Sequence, residues 1–114
     1  MPNLSSTIIL KALDCLSERA NVSAENIANA STPGYRPLRV TFENALATAA
    51  AHGKEAVEAL EPKIERASGS GSAPGLRLDL ELATASTTAM RYAALIEILS
   101  RKMQRDDLPV SGNA

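Results

Sequence analysis

Residues 26–35 read NIANASTPGY, and this stretch decides where the first element of the chain ends. Pro33 has no amide hydrogen and disfavours the α conformation in the residue before it, so a helix arriving from the N-terminal side stops near Ala30. Residues 32–35 then place Pro and Gly at the two central positions that a type II turn prefers, with Gly34 at positive φ. The stretch therefore predicts a helix followed by a tight turn.

Two asparagines lie at helical spacing just before this turn. Asn26 and Asn29 are short amide side chains, a type that often hydrogen-bonds to nearby backbone. We expect them to hydrogen-bond to the backbone of the turn rather than to take part in chemistry.

A heptad pattern runs up to the turn from the N-terminal side. From Ser5 to Ala30, mostly apolar residues recur at alternating spacings of four and three, which is typical of a helix that packs along one side against another helix. Ser5 or Ser6 is expected to cap its start. Residues 1–31 thus form one half of a predicted coiled-coil core, with its seam at Ile9, Leu13, Leu16, Ala20, Ser23, Ile27 and Ala30.

A second heptad pattern lies near the other end of the chain. Asp79 is a good N-cap, and Arg101, Lys102 and Arg105 gather where a helix dipole favours cations. The pattern predicts a helix over 78–105, followed by a loose tail at 106–114. Its seam is entirely apolar and consists of Leu78, Leu82, Ala85, Ala89, Tyr92, Ile96, Leu99 and Met103.

The middle of the chain, residues 32–77, is polar and is interrupted by Pro and Gly residues. Tyr35 to Thr41 contains Pro37, which suits an extended arm or an edge strand, and we interpret it as an arm. Thr41 is the expected N-cap of a short helix from Phe42 to about Ala51, which Gly53 ends.

Two less regular pieces complete the middle segment. An extended piece is expected around Ile64. Residues 68–75 have the composition of a flexible Gly/Ser-rich link, and their glycines match neither the dinucleotide fingerprint nor the phosphate-binding P-loop.

Composition excludes several classes of function. Twelve basic and thirteen acidic side chains give a net charge of -1, which argues against nucleic acid as a partner. Cys15 is the single cysteine and His52 the single histidine, and no spacing joins them to carboxylates as a catalytic or metal site. We therefore expect no enzyme activity, cofactor, metal or small-molecule substrate. No stretch approaches the ~20 apolar residues of a membrane span.

The two heptad helices are predicted to pair as an antiparallel coiled coil in a mainly α fold. Ile8, Leu95 and Ile98 lie off a narrow two-helix seam, and exposing them would create an apolar patch. Either neighbouring subunits cover them or the middle segment folds over them, and the sequence leaves both alternatives open.

Residues 26–36 resemble the signature near the N-terminus of bacterial flagellar rod and hook proteins. Residues 40–46, VTFENAL, are similar to its continuation in the proximal-rod subunit family FlgB. Residues 78–81 and 99–102, with Tyr92 between them, resemble that family's closing helix. The sequence departs from the family at 73–77, APGLR, where an Asp-Gly-Asn turn is usual.

The resemblance implies a structural subunit of the proximal rod in the flagellar basal body, which joins the MS ring to the distal rod and transmits torque. It implies a helical homo-oligomer whose partners are other rod proteins, the rod to MS-ring junction protein and the flagellar type III export apparatus. Export to the periplasm would occur without a cleaved signal peptide. The family motif is carried by Asn26, Asn29, Thr32, Pro33, Gly34 and Tyr35. A generic helical adaptor is the alternative.

The seams also suggest that folding is coupled to assembly. Their small residues bury little surface, and at about 25 cal/mol per Å² this burial barely offsets the conformational entropy of ordering the chain. We therefore expect neighbouring subunits to supply much of the stabilisation.

Overall fold

The computed structural model describes residues 3–67 and 74–107, and it confirms a mainly helical fold with a long helix toward each end. The predicted Gly/Ser-rich link lies outside the described residues except for its last two positions, and so does the predicted tail beyond residue 107. The elements, in chain order, are α1 Leu4–Ala28, β1 Leu38–Thr41, α2 Glu43–His52, α3 Lys54–Ala59, β2 Lys63–Arg66 and α4 Pro74–Asp107.

Helix α1 begins earlier than its predicted cap. Asn3 is the N-cap, and its side-chain oxygen accepts a hydrogen bond from the backbone N of Ser6 at 3.0 Å. The prediction of Ser5 or Ser6 as the cap is therefore wrong. An asparagine caps a helix at least as well as a serine, and starting one turn earlier lets Ser6 and Thr7 become buried on the inner face.

Helix α4 also begins earlier than predicted. Its first residue is Pro74, so Asp79 is not the N-cap but an exposed residue in the second turn. Proline is well tolerated at the first helical position, because its missing N–H would have no partner inside the helix there. Asp79 was predicted as the N-cap because of its residue type, and a proline at the first helical position was not considered.

The middle segment folds back on α1 rather than extending from it. Strand β1 pairs with β2 in an antiparallel sheet of two strands, with Val40 opposite Ile64. The interpretation of residues 35–41 as an arm is therefore wrong for its second half, whereas the extended piece around Ile64 is confirmed as β2. The sheet forms because α2 and α3 bring the second strand back beside the first.

Helices α2 and α3 connect the two strands. Helix α2 is the predicted short helix, shifted by one residue, and Phe42 rather than Thr41 occupies its N-cap position without a side-chain hydrogen bond. Gly53 ends it as predicted, with φ of 105°. Helix α3 was not predicted, because its six residues are too few to show a helical period.

The apolar core lies between α1, α2 and α3. Its buried members are Ala12, Cys15, Leu16, Phe42, Leu46 and Val57, and Ile8 and Leu95 pack against it. The middle segment therefore covers two of the three residues that lay off the predicted seam. Ile98 remains 51% exposed.

The predicted seam on α1 is largely buried. Leu13, Leu16 and Ala30 are buried, as is Ser23, whereas Ala20 is exposed. Ile9 and Ile27 are half-buried. Helix α1 is therefore covered along most of the face that its heptad pattern indicated.

The face that α4 turns inward differs from the predicted one by about a sixth of a turn. Leu78, Ala85 and Leu99 of the predicted seam are half-buried, but Leu82, Ala89, Ile96 and Met103 are exposed rather than buried against α1. Their places are taken by Glu81 and Thr88, which are 2% and 3% exposed, and by Leu95. Tyr92, at 38% exposed, lies at the edge between the two faces.

Candidate functional site: the polar junction after the first helix

The turn after α1 has the predicted geometry. The backbone N of Tyr35 donates to the carbonyl O of Thr32 at 3.1 Å, and Gly34 has φ of 77°. A β-carbon on Gly34 would meet no atom within 4 Å. The requirement for glycine is therefore conformational rather than steric, as expected for positive φ.

Asn26 holds the returning chain against the end of α1. It is 1% exposed. Its Oδ1 accepts from the Tyr35 hydroxyl at 2.7 Å and from the backbone N of Leu38 at 2.9 Å, while its Nδ2 donates to the Leu38 carbonyl O at 2.9 Å. The predicted backbone hydrogen bonding is made to the start of β1 rather than to the turn itself.

Asn29 acts locally at the turn. Its Nδ2 donates to the carbonyl O of Glu25 at 2.9 Å, and its Oδ1 accepts from the Thr32 hydroxyl at 3.2 Å. The carbonyl O of Glu25 thus accepts from both the side chain and the backbone N of Asn29, the latter at 3.1 Å. Asn29 thus stabilises the helix end, whereas Asn26 connects separate elements.

Glu81 joins α4 to this junction. Its Oε1 accepts from Asn26 Nδ2 at 3.1 Å, and its Oε2 accepts from Arg39 Nη1 at 2.6 Å. A buried carboxylate is costly unless it is paired, and here both oxygens have charged or polar donors. Glu81 is therefore drawn inward by its partners, and this sets which face of α4 meets α1.

Arg77 links α4 to both sides of the turn. Its Nη2 donates to the carbonyl O of Ala30 at 2.7 Å, and its Nη1 donates to the carbonyl O of Tyr35 at 2.9 Å. The guanidinium lies beyond the C-terminal end of α1, where the helix dipole favours a cation. Its Nε is buried without a hydrogen-bond partner among the described residues.

We refer to Asn26, Tyr35, Arg39, Arg77 and Glu81 as the polar junction. The sequence analysis singled out Asn26 and Tyr35 but missed the other three. Arg77 and Glu81 could have been noticed because they are charged residues four apart, and so lie on one face of the helix. Nothing in the sequence pairs them with a turn more than forty residues earlier.

A second ionic contact fixes the joint between β1 and α2. Arg19 Nη1 and Nη2 donate to the two carboxylate oxygens of Glu43 at 2.7 and 2.9 Å, and Nη2 also donates to the Val40 carbonyl O at 2.7 Å. The guanidinium lies 4.8 Å from the centre of the Phe42 ring. The hydrogen bonds from Arg19 lower the pKa of Glu43 to about 2.

Among the residues that the structure describes, the reactive types do not come together into a chemical site. The Cys15 thiol is fully buried in the core, and burial raises its pKa, which makes it a poor nucleophile. His52 is exposed at the end of α2, with Nδ1 2.9 Å from the carbonyl O of Thr48. Within residues 3–67 and 74–107, no three metal-ligating side chains lie close enough to hold an ion. No helix in that part of the chain is long and apolar enough to cross a membrane.

The described residues thus form a long helix, a turn held by buried polar groups and a returning helix. Residues 10–36 match the family model described as flagella basal body rod protein. The match supports a flagellar rod protein, whose family is structural rather than enzymatic and assembles with other rod components in the flagellar basal body. No curated protein matches the chain.

The matched segment contains two of the five residues of the polar junction. It runs from the first third of α1 through the turn and includes Asn26, Gly34 and Tyr35. The other three residues of the junction, Arg39, Arg77 and Glu81, lie outside the match.

Proposed function

We propose that this chain is a proximal-rod subunit of the FlgB family, which joins the MS ring to the distal rod and transmits torque. The observation that carries the proposal is a column of apolar residues left exposed on α4. We call it the α4 stripe, and it consists of Leu82, Ala89, Ile96 and Met103, spaced seven residues apart.

The α4 stripe has the form of an unfilled coiled-coil seam. Leu82, Ile96 and Met103 are 51%, 43% and 54% exposed, and the stripe extends about 32 Å along the helix. Single exposed apolar residues are ordinary, but a continuous row of them marks an interaction surface. A residue that repeats every seven positions is suited to packing against another helix.

Within one chain, the two long helices are proposed to pair in an antiparallel manner. At one end, Arg77 and Glu81 near the start of α4 contact Ala30 and Asn26 at the end of α1. Farther along α4, Leu95 packs against the core cluster that contains Ala12. Helix α4 therefore has an inner side for α1 and an outer side, the α4 stripe, for helices of other copies and of other rod subunits.

The polar junction suits the transmission of torque. It ties α1, β1 and α4 together through short, buried hydrogen bonds, which resist rotation of one element against another. The segment after the turn, from Tyr35 onward, would then hold a fixed angle to the helices when neighbouring subunits contact it.

The small core fits folding that is completed by assembly. In the described part of the chain, six residues form the buried apolar cluster, and Phe42 is the aromatic one among them. Such a core is consistent with export as an unfolded chain through the type III apparatus. It is also consistent with ordering in the periplasm against other subunits and the MS-ring junction protein. A generic adaptor role is not favoured by any contact in the structure.

The experiment is a stripe mutation tested in cells. Ile96→Asp should abolish motility and rod assembly, because it places a charge in the seam between copies. Ala94→Asp is the matched control, since Ala94 is also exposed but lies about 160° around the helix from Ile96. Equal motility of the two strains would contradict the proposal.

A further inference from the structure

A groove lined by arginines lies between β1 and α4, on a side of α4 different from the α4 stripe. Its volume is about 500 Å³, and we call it the arginine groove. Its lining includes Arg19, Arg39, Val40, Leu80, Thr84 and Arg91.

The three arginines differ in how fully carboxylates of the same chain pair with their charge. Arg19 is 14% exposed and is bound by both oxygens of Glu43. Arg39 binds Glu81, but half of its side chain remains exposed. Arg91 has a single 3.6 Å contact to a Glu43 oxygen that Arg19 already holds, and its side chain is 58% exposed. Arg91 and the outer part of Arg39 are therefore able to bind a further carboxylate.

An acidic ridge lies on a different part of the same chain. Glu55 and Glu58 are three residues apart on α3, so they share a helix face, and Glu61 follows two residues after that helix. All three are exposed, and none has an ion-pair partner among the residues that the structure describes. We call these three residues the acidic ridge.

Both surfaces are held rigidly on α1. Arg19 bonds to β1 and to the first turn of α2 beside the groove. Lys11 Nζ donates to the carbonyl O atoms of Glu58 and Leu60 at 3.0 and 2.9 Å, which holds the ridge. The groove and the ridge therefore keep fixed positions on the subunit, as a repeating contact between copies requires.

We propose that the arginine groove binds the acidic ridge of a second copy of this chain, with Arg91 and Arg39 facing Glu55 and Glu58. Arginine pairs with carboxylates in a planar, two-point geometry, which gives such a contact directional specificity. The inference rests on the proposed assembly of the chain and adds an ionic contact to the apolar contact of the α4 stripe.

The proposed contact also has a consequence for growth. The groove and the ridge are different surfaces, so each bound pair leaves one groove and one ridge unoccupied. A head-to-tail contact of this kind continues into an open helical array unless it closes into a ring. An interface between identical patches would instead stop at a dimer.

The test is a charge swap followed by sedimentation velocity of the purified full chain over a range of concentrations. Arg91→Glu and Glu58→Arg should each weaken self-association at least about tenfold, because each places like charges opposite one another. An equimolar mixture of the two variants should recover association, since the reversed groove of one accepts the reversed ridge of the other. Arg101→Glu and Glu97→Arg, at exposed positions of α4 outside both surfaces, are the matched controls and should associate like the unaltered chain.

Each other outcome overturns the inference. If Arg91→Glu weakens association but Glu58→Arg does not, the groove binds a different acidic partner. If the mixture fails to recover while both variants keep the far-ultraviolet circular dichroism of the unaltered chain, the two surfaces do not face each other. If the unaltered chain stays monomeric at its highest soluble concentration, or if all variants associate equally, the contact does not exist. These last results leave the rod assignment standing, because that assignment is decided by motility of the α4 stripe variants.

Discussion

Replacing Asn26 with leucine should loosen the start of β1 from the end of α1. The leucine side chain has nearly the same volume but can make none of the four hydrogen bonds of the buried amide. Both backbone groups of Leu38, the Tyr35 hydroxyl and one oxygen of Glu81 would lose a partner. At about 0.5–1.5 kcal/mol for each bond, the loss amounts to about 2–6 kcal/mol.

Hydrogen–deuterium exchange read by mass spectrometry measures this effect at the segment concerned. The backbone N–H of Leu38 is directly bonded to Asn26, so the peptide covering residues 35–41 should report it. Even the lower bound of about 2 kcal/mol corresponds to about a thirtyfold faster exchange. The increase in exchange cannot exceed the limit set by global unfolding, because the free energy of unfolding of the whole chain is the largest protection that any amide can have.

Asn29→Leu is the matched control for this experiment. Asn29 is the same residue type one turn farther along, but its bonds are local and partly exposed. We expect it to change exchange in residues 35–41 by no more than about threefold, since exposed hydrogen bonds contribute little net stability. If Asn26→Leu also changed exchange by less than that, the polar junction would not be what holds β1 in place.

Two further predictions concern the turn and the ionic joint. Gly34→Val should abolish motility but not export of the subunit, because a β-branched residue at φ of 77° costs about 1–3 kcal/mol of backbone strain and redirects the chain. Motility assays combined with immunoblots of exported protein test this prediction. A motile strain would show that the turn does not need glycine at this position. Arg19 lowers the pKa of Glu43 to about 2, so this contact stabilises the fold at pH values above the ordinary glutamate pKa and the stabilisation is lost as pH falls toward 2. Because the Glu43 side chain is 49% exposed, the stabilisation lost should be under about 1 kcal/mol. Urea titrations at pH 6 and pH 2.5 measure it: the unfolding midpoint should fall less between these pH values for Glu43→Gln than for the unaltered chain. Equal falls in the midpoint would contradict the role of this pair.

Residue preferences that act within a few positions of the chain were sufficient to predict several features of the fold. Pro33 and Gly34 predict the turn because their backbone preferences act within a few residues. Gly53 predicts the end of α2 for the same reason. The motif around Asn26 predicted a resemblance to flagellar rod proteins, and it lies in the segment that matches the model described as flagella basal body rod protein.

Other features depended on competition between distant groups. Thr41 and Asp79 are good capping residues, yet Phe42 and Pro74 occupy those helix starts, because packing and chain path decided among several acceptable starts. The pairing of β1 with β2 depends on α2 and α3 returning the chain, and the six residues of α3 carry too weak a pattern to predict it.

The sequence by itself determined that this chain has two long amphipathic helices and a fixed turn after the first. Only the tertiary structure decided which side of α4 faces inward. Heptad spacing shows that a helix has an apolar seam, but it does not say whether the partner is in the same chain or in another. Asn26 and Arg39 decide which face of α4 turns inward by binding Glu81, because a buried carboxylate with strong donors turns its helix toward them and leaves Leu82, Ala89, Ile96 and Met103 exposed.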